Sequence, residues 1–287
     1  MLNLAIASGK GGTGKTTIAV NLALTLEKEN IPVQLLDCDV EEPNAHLFLK
    51  PQLNHKQNVG IPVPSIDLDQ CSFCGCCAEV CAFNALALLK DNVMILAELC
   101  HGCGSCTYLC PEKAITEIDR SIGILESGMA GRLSFAHGIL NPGEAMSPPL
   151  IEAVKKLINS DALTIIDAPP GTSCPVVSSV SGCDFCLLVT EPTPFGLNDL
   201  DLAYQMVSKL GIPAGVVINR SDIGDGEVEE YCYKNDLPVL QKIPWNLEAA
   251  RYYARGESAV KHLPEWQGLF RELYENILSA REGAVRR

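Results

Sequence analysis

The sequence predicts an open α/β sheet interrupted by a compact metal-binding insert. Three observations lead there. Short apolar runs at 4–7, 33–36, 163–166, 186–189 and 216–218 are strand-length, and each gives way to polar or turn-forming residues. The first run leads through Gly9-Lys10-Gly11-Gly12-Thr13-Gly14-Lys15-Thr16 into a helical pattern with Ile18, Leu22 and Leu26 on one face. Between the second and third runs lie two matched sets of four closely spaced cysteines.

The first loop has the spacing G-x-x-x-x-G-K-[ST], set between a strand and a helix, which is the context that makes it a phosphate cradle. Glycines let backbone N–H groups approach phosphate oxygens with no Cβ in the way, and the following helix turns its positive end to the same anion. Lys15 is then placed for the β- and γ-phosphates of ATP or ADP, and Thr16 for Mg²⁺. Lys10 is a second lysine inside the loop.

Composition bounds the class. The chain has 287 residues, 47% hydrophobic and 20% charged, enough for a substantial core. It holds no 18-residue apolar stretch and enters its first strand at once, so neither a membrane span nor a signal peptide is expected, and the protein is expected to be cytoplasmic. A net charge of −13 disfavours a nucleic-acid partner, which needs a basic surface. Fourteen cysteines exceed what a reducing compartment supports unless most of them bind metal.

Along the chain, run 33–36 ends in Asp37-Cys38-Asp39, placing two carboxylates at the carboxyl end of a strand, where open α/β sheets bind ligands. The composition turns acidic from 63 to 119, with eight carboxylates against Lys90 and Lys113. Inside that stretch Cys71-x₂-Cys74-x₂-Cys77-x₃-Cys81 recurs 29 residues later as Cys100-x₂-Cys103-x₂-Cys106-x₃-Cys110-Pro111. This is the spacing of bacterial two-cluster ferredoxins, in which the fourth cysteine of each run serves the other cluster. The expected ligand sets for two [4Fe–4S] clusters are Cys71, Cys74, Cys77 and Cys110 for the first, and Cys100, Cys103, Cys106 and Cys81 for the second. Cys76 falls outside the spacing and is expected as a small buried filler; His101 is expected to tune its cluster by hydrogen bonding.

Farther on, run 163–166 closes on Asp167-Ala168-Pro169-Pro170-Gly171-Thr172, with an aspartate in the position of a Mg²⁺ partner. Cys183 and Cys186 have half-site spacing, but neighbours on a pleat point oppositely, which argues against shared ligation. Asn219 follows run 216–218, and its amide could pair with a base edge. The last helix, expected over 265–281, carries Leu269, Leu273 and Ile277 on one face, which is expected to pack on the domain rather than bind a membrane.

Lys10 together with Gly11-Gly12-Thr13-Gly14-Lys15-Thr16-Thr17 resembles the deviant Walker A motif of the MinD/ParA/nitrogenase-iron-protein ATPases. The Asp167-x-Pro-Pro-Gly171 run resembles switch II of the Mrp/MinD branch. Over nearly the whole chain the motifs are similar to MinD-superfamily P-loop ATPases that carry an inserted ferredoxin domain. The resemblance implies a doubly wound, mostly parallel sheet (1–62 and 120–287) with a two-cluster ferredoxin domain of bacterial type inserted at 63–119. It also implies a nucleotide-dependent homodimer in which Lys10 reaches the partner's nucleotide. Asp37 would support Mg²⁺, Asp39 would orient the attacking water, Asp167 would sense metal and γ-phosphate, and Gly171 would free the loop. Asn219 and Pro244 would border the adenine. The first functional expectation is an ATPase coupled to electron transfer with a redox protein partner. The alternatives are an iron–sulfur assembly or carrier ATPase of the Mrp type, whose downstream Cys-x-x-Cys is replaced here by Arg220-Ser221-Asp222-Ile223, and a MinD/ParA-like positioning protein.

Overall fold

The computed structural model describes residues 1–224 and 226–285. The elements of the first half are β1 (Asn3–Ala7), α1 (Lys15–Lys28), β2 (Val33–Asp37), α2 (Ala45–Leu49), β3 (Gln52–Ile66), α3 (Cys76–Glu79), β4 (Leu86–Leu89), β5 (Asn92–Ile95), α4 (Ser105–Leu109) and β6 (Ile115–Ala130). They continue as β7 (Leu133–Leu140), α5 (Pro148–Lys155), β8 (Leu163–Asp167), α6 (Cys174–Val180), β9 (Phe185–Thr190), α7 (Pro194–Lys209), β10 (Ala214–Asn219), α8 (Glu227–Lys234), β11 (Val239–Ile243), α9 (Leu247–Tyr253) and α10 (Pro264–Val285).

Nine strands form one sheet in the order β11-β10-β9-β1-β8-β2-β7-β6-β3. From β11 to β7 all neighbours are parallel; β6 and β3 close the edge antiparallel. The five expected strands are β1, β2, β8, β9 and β10, contiguous at the centre of the sheet. Both faces are covered, so alternate residues of one strand feed two cores. Leu4 and Ile6 pack with α1 and α10, whereas Ala5 and Ala7 pack on the side of α5, α6 and α7.

The edge is where the sequence reading stopped short. β3 and β6 form an antiparallel ribbon whose register runs from Gln52↔Met129 to Ile66↔Ile115. One end lies in the sheet beside β7; the other carries residues 67–114. The rungs Val63↔Ile118, Pro64↔Glu117 and Ser65↔Thr116 continue this ribbon past 63 and 119. Pro62 and Pro64 are accommodated because β3 is the outermost strand, where a missing N–H breaks no ladder.

Helix α10 buries Phe270, Leu273 and Ile277 completely against the α1 side, with Trp266 and the partly buried Leu269 beside them. Its apolar face is therefore used within the domain. Among the described residues no helix is long and apolar enough to cross a membrane. Phe270→Ala should cost about 3–5 kcal/mol in urea unfolding, the range for emptying a fully buried aromatic site. A loss under about 1 kcal/mol would mean that α10 is undocked in solution.

Candidate functional site: a nucleotide cleft and two thiol cavities

The main cleft opens over the carboxyl ends of β1, β2, β8 and β10. It is lined by Gly11, Gly12, Gly14, Lys15, Thr16 and Thr17 of the loop and first turn, by Asp39 and Pro170, and by Asn219 and Pro244. Gly12 and Gly14 sit at φ +81° and +99°, a left-handed backbone that a side chain would strain. Gly9 does not line the cleft: a Cβ there would lie 2.1 Å from the Asp199 carbonyl oxygen, so its glycine is required by the close approach of α7. Thr13 is buried behind the loop, and its carbonyl accepts from Asn219 Nδ2 at 2.8 Å. Asn219 Oδ1 accepts its own neighbour Arg220 N–H at 3.0 Å, so this amide braces the phosphate loop against β10.

The charged groups are packed tightly. Lys15 is 7% exposed, and burial pulls its ammonium below the usual lysine range, against the opposing pull of Asp167 and Asp39. Asp167 is buried with neither carboxylate oxygen hydrogen-bonded. Burial pushes it up to about 7, opposed by the nearby Thr16 hydroxyl and Lys15 and reinforced by Asp39. Asp39, half-buried at the cleft wall, is pushed up to about 6 by burial, with Lys15 pulling the other way. A buried carboxylate with two unpartnered oxygens beside a threonine hydroxyl is a donor set that suits a hard divalent cation.

Asp37 is placed differently. It is fully buried and does not line the cleft; its oxygens accept from Asp39 N at 3.2 Å, Asn44 N at 3.1 Å and Ala45 N at 3.0 Å. It thus caps α2 and pins the loop that carries Asp39. Burial first, then Asp167 beside it, raises its pKa well above the usual range. Lys10 also stands away from the cleft lining, 3.9 Å from Glu191, which in turn holds Arg220 at 2.9 Å. Gly171 is at φ +98°, and its N–H donates to the Ser8 carbonyl at 3.0 Å, tying the 168–172 loop to the phosphate loop.

The sequence reading missed part of the cleft. Phe48, Trp245, Tyr253 and Trp266 line it, as do Glu42, Arg220 and Glu257. Phe48 and Tyr253 come from α2 and α9 and Trp266 from the start of α10, while Glu42, Arg220, Trp245 and Glu257 sit on the connections between elements, so no single motif marks them.

The insert holds two smaller cavities. One is lined by Cys71, Cys74, Cys77 and Cys110, with Cys76 also on its wall; the other by Cys81, Cys100, Cys103 and Cys106, with His101. Each combines three cysteines of one run with the fourth of the other. The backbone repeats with the same 29-residue offset as the cysteines: left-handed residues at Phe73 and Gly102, Gly75 and Gly104, Asn84 and Lys113. Phe73 N–H points at Cys71 Sγ (3.4 Å) and Gly102 N–H at Cys100 Sγ (3.5 Å), the same turn in both halves. Cys103 is held below the usual thiol range chiefly by Ser105, whereas burial raises Cys77 and Cys106. Cys76 is half-buried rather than fully buried, and His101 stacks on Phe83 with centroids 3.6 Å apart. Among the described residues no three such side chains converge on a point that a single ion would occupy. Cys183 and Cys186 are buried in the core, where burial raises both.

A phosphate loop at the head of a parallel sheet, with a lysine and aspartates at the strand ends, defines a P-loop nucleotide-binding protein. The chain belongs to the CobQ/CobB/MinD/ParA nucleotide-binding family, which it matches over residues 4–260. It is 33% identical over 265 residues to an uncharacterized protein of Methanocaldococcus jannaschii, covering 91% of this chain and 93% of that one. It is 26% identical to an iron–sulfur cluster carrier protein of Pyrococcus horikoshii, over 86% of this chain and 75% of the relative. In fold it is similar to the septum site-determining protein MinD of the same organism, solved with Mg-ADP (TM-score 0.62, 20% identity, 96% of both chains).

The raised Asp167 pKa has a signed consequence. A carboxyl near 7 folded and 3.8 unfolded binds more protons in the folded state, so stability falls as pH rises from about 4 to 7 and the penalty is complete above that. Metal- and nucleotide-free Asp167→Asn should therefore be more stable than the native chain at pH 8, on the order of 1–4 kcal/mol, and equal to it near pH 3.5. A variant less stable at pH 8 would show that Asp167 is satisfied without a cation.

Proposed function

We propose that this protein is a Mg²⁺-dependent ATPase that acts on iron–sulfur clusters. Family membership supports the ATPase. The paired four-thiol cavities at the end of one ribbon from the ATPase sheet are the observation that supports the rest. Each cavity matches in residues the set expected for a [4Fe–4S] cubane, whose four irons need thiols spread around a volume rather than gathered on one point.

In the nucleotide cleft Lys15 offsets charge on the β- and γ-phosphates, and the loop N–H groups hold them in place. Thr16 and Asp167 would hold Mg²⁺, which supplies further charge neutralisation. Asp39 would orient the attacking water, and Asp37 keeps the Asp39 loop in register from behind. Lys10 would act across a nucleotide-dependent homodimer, leaving Glu191 to do so.

Cluster assembly or carriage is the first reading, because relatives matched over most of this chain are named iron–sulfur cluster carrier proteins. This reverses the order expected from sequence, which put electron transfer to a redox partner first. The segment Arg220–Ile223 offers no thiol, so a carrier would use the insert. Electron transfer remains the second reading, favoured by the wrapping of each cavity by four thiols. A positioning role has only fold similarity behind it.

Anaerobically isolated protein should hold about eight irons per chain, and Cys103→Ser should lose one cluster preferentially. Zinc in place of iron would end the cluster reading. Two incubations with MgATP then separate the rest, one with an iron-free acceptor ferredoxin and one, after dithionite reduction and removal of excess reductant, with an oxidised cluster-loaded ferredoxin: iron should move to the iron-free acceptor for a carrier, whereas retained iron with reduction of the loaded ferredoxin would select electron transfer. Lys15→Ala should lower turnover at least a hundredfold. Lys10→Ala should keep nucleotide binding but lose dimerisation and hydrolysis; full activity in that variant would exclude a role across the dimer.

A further inference from the structure

The two thiol cavities are not equivalent. Cys100 is buried in the same apolar cluster as Ile61, Val63, Ile122 and Leu150 of the main domain, and Cys81 packs against it. None of Cys71, Cys74, Cys77 and Cys110 joins that cluster among the described residues. The second cavity is therefore proximal to the ATPase sheet and the first is distal.

A short polar route leads from the nucleotide cleft toward the proximal cavity. Two residues after Asp39, Glu41 accepts a hydrogen bond from Ser147 Oγ at 3.2 Å, and Ser147 is 1% exposed. One residue earlier, the Val40 carbonyl accepts Leu140 N–H at 2.9 Å, so the segment from 140 to 147 is gripped at both ends by the Asp39 loop. Gly138 sharpens this grip: a Cβ there would lie 2.7 Å from Val40 Cγ1. Within the segment Glu144, its side chain 4% exposed, takes both terminal nitrogens of Arg120, at 2.5 and 3.2 Å, while Asn141 Nδ2 donates to the Ser121 carbonyl. Arg120 lies on β6 opposite Ile61, which shares an apolar cluster with Cys100, and the next residue of β3, Pro62, lines the proximal cavity.

We infer that the proximal site, Cys81, Cys100, Cys103 and Cys106, is the one that responds to nucleotide, through Glu41, Ser147, Glu144 and Arg120. The inference rests on the cluster reading above. Arg120 is a positioning residue for charge: its guanidinium stabilises the more negative, one-electron-reduced cluster, and Glu144 sets how much of that charge is compensated. Whatever the nucleotide does to the Asp39 loop reaches Glu144 through Ser147. The distal site, outside this route, is left to face a partner.

The test is a potentiometric titration of the cluster-loaded protein monitored by electron paramagnetic resonance. Dithionite supplies one electron to each cluster, with no nucleotide, MgADP or a non-hydrolysable MgATP analogue present. Expected is a nucleotide-dependent shift of one midpoint, the other staying fixed. Glu144→Gln should raise that same midpoint, Arg120→Gln should lower it, and Arg120→Lys should restore it. Ser147→Ala should leave the nucleotide-free midpoint in place and abolish the shift. As the reciprocal readout, reduction should change MgADP affinity about fivefold or more in the native chain and not in Ser147→Ala. Equal shifts of both midpoints, no shift, or a full shift in Ser147→Ala would overturn the inference while leaving the cluster reading intact. Native protein that assembles no cluster overturns that reading and the inference with it.

Discussion

Asp37 and Asp167 are register partners on the adjacent strands β2 and β8, so parallel pairing sets two buried carboxylates side by side at the end of the sheet. Like charges at such a separation cannot both ionise cheaply inside a protein. The surroundings answer the two charges in different ways. Asp37 is satisfied by three backbone N–H groups, which fixes α2 and the Asp39 loop. Asp167 is left with two unpartnered oxygens facing Thr16 and Lys15. The site stores an unmet demand for positive charge, and a bound cation with its nucleotide is the natural way to meet it.

The same loop connects the cleft to the ribbon. Asp39 borders the cleft, while Val40 and Glu41 hold the segment that leads to the ribbon. The ribbon is a stiff carrier because β3 and β6 stay paired along their length, from the sheet to the insert. Arg120 and Glu144 tie the ribbon to the 140–147 segment.

The insert shows how a duplicated local pattern builds paired cavities. Left-handed residues recur at equivalent positions of the two halves, turning each run of thiols inward around a short helix. The fourth cysteine crosses over: Cys110 lines the cavity of the first run and Cys81 that of the second.

Local chemistry was legible in sequence. The central strands β1, β2, β8, β9 and β10 show as apolar runs because both faces are covered, and the phosphate loop shows because its glycines and lysine have fixed spacing. The ribbon did not show: β3 is an exposed edge strand interrupted by Pro62 and Pro64, and its paired residues lie 49 (115 − 66) to 77 (129 − 52) positions away, beyond the reach of any local periodicity. Site residues divide in the same way. Lys15, Asp39 and Asp167 belong to motifs, whereas Phe48, Trp245 and Tyr253 reach the cleft only through packing. Gly9 and Asn219 are visible in sequence, but only the fold shows that one admits α7 and the other braces the loop. Sequence by itself determined the phosphate loop and the paired runs of thiols, since both depend on residue type and short spacing. Tertiary structure alone decided which carboxylate is left unsatisfied and which thiol cavity lies against the ATPase domain, because burial and long-range pairing are properties of the assembled chain.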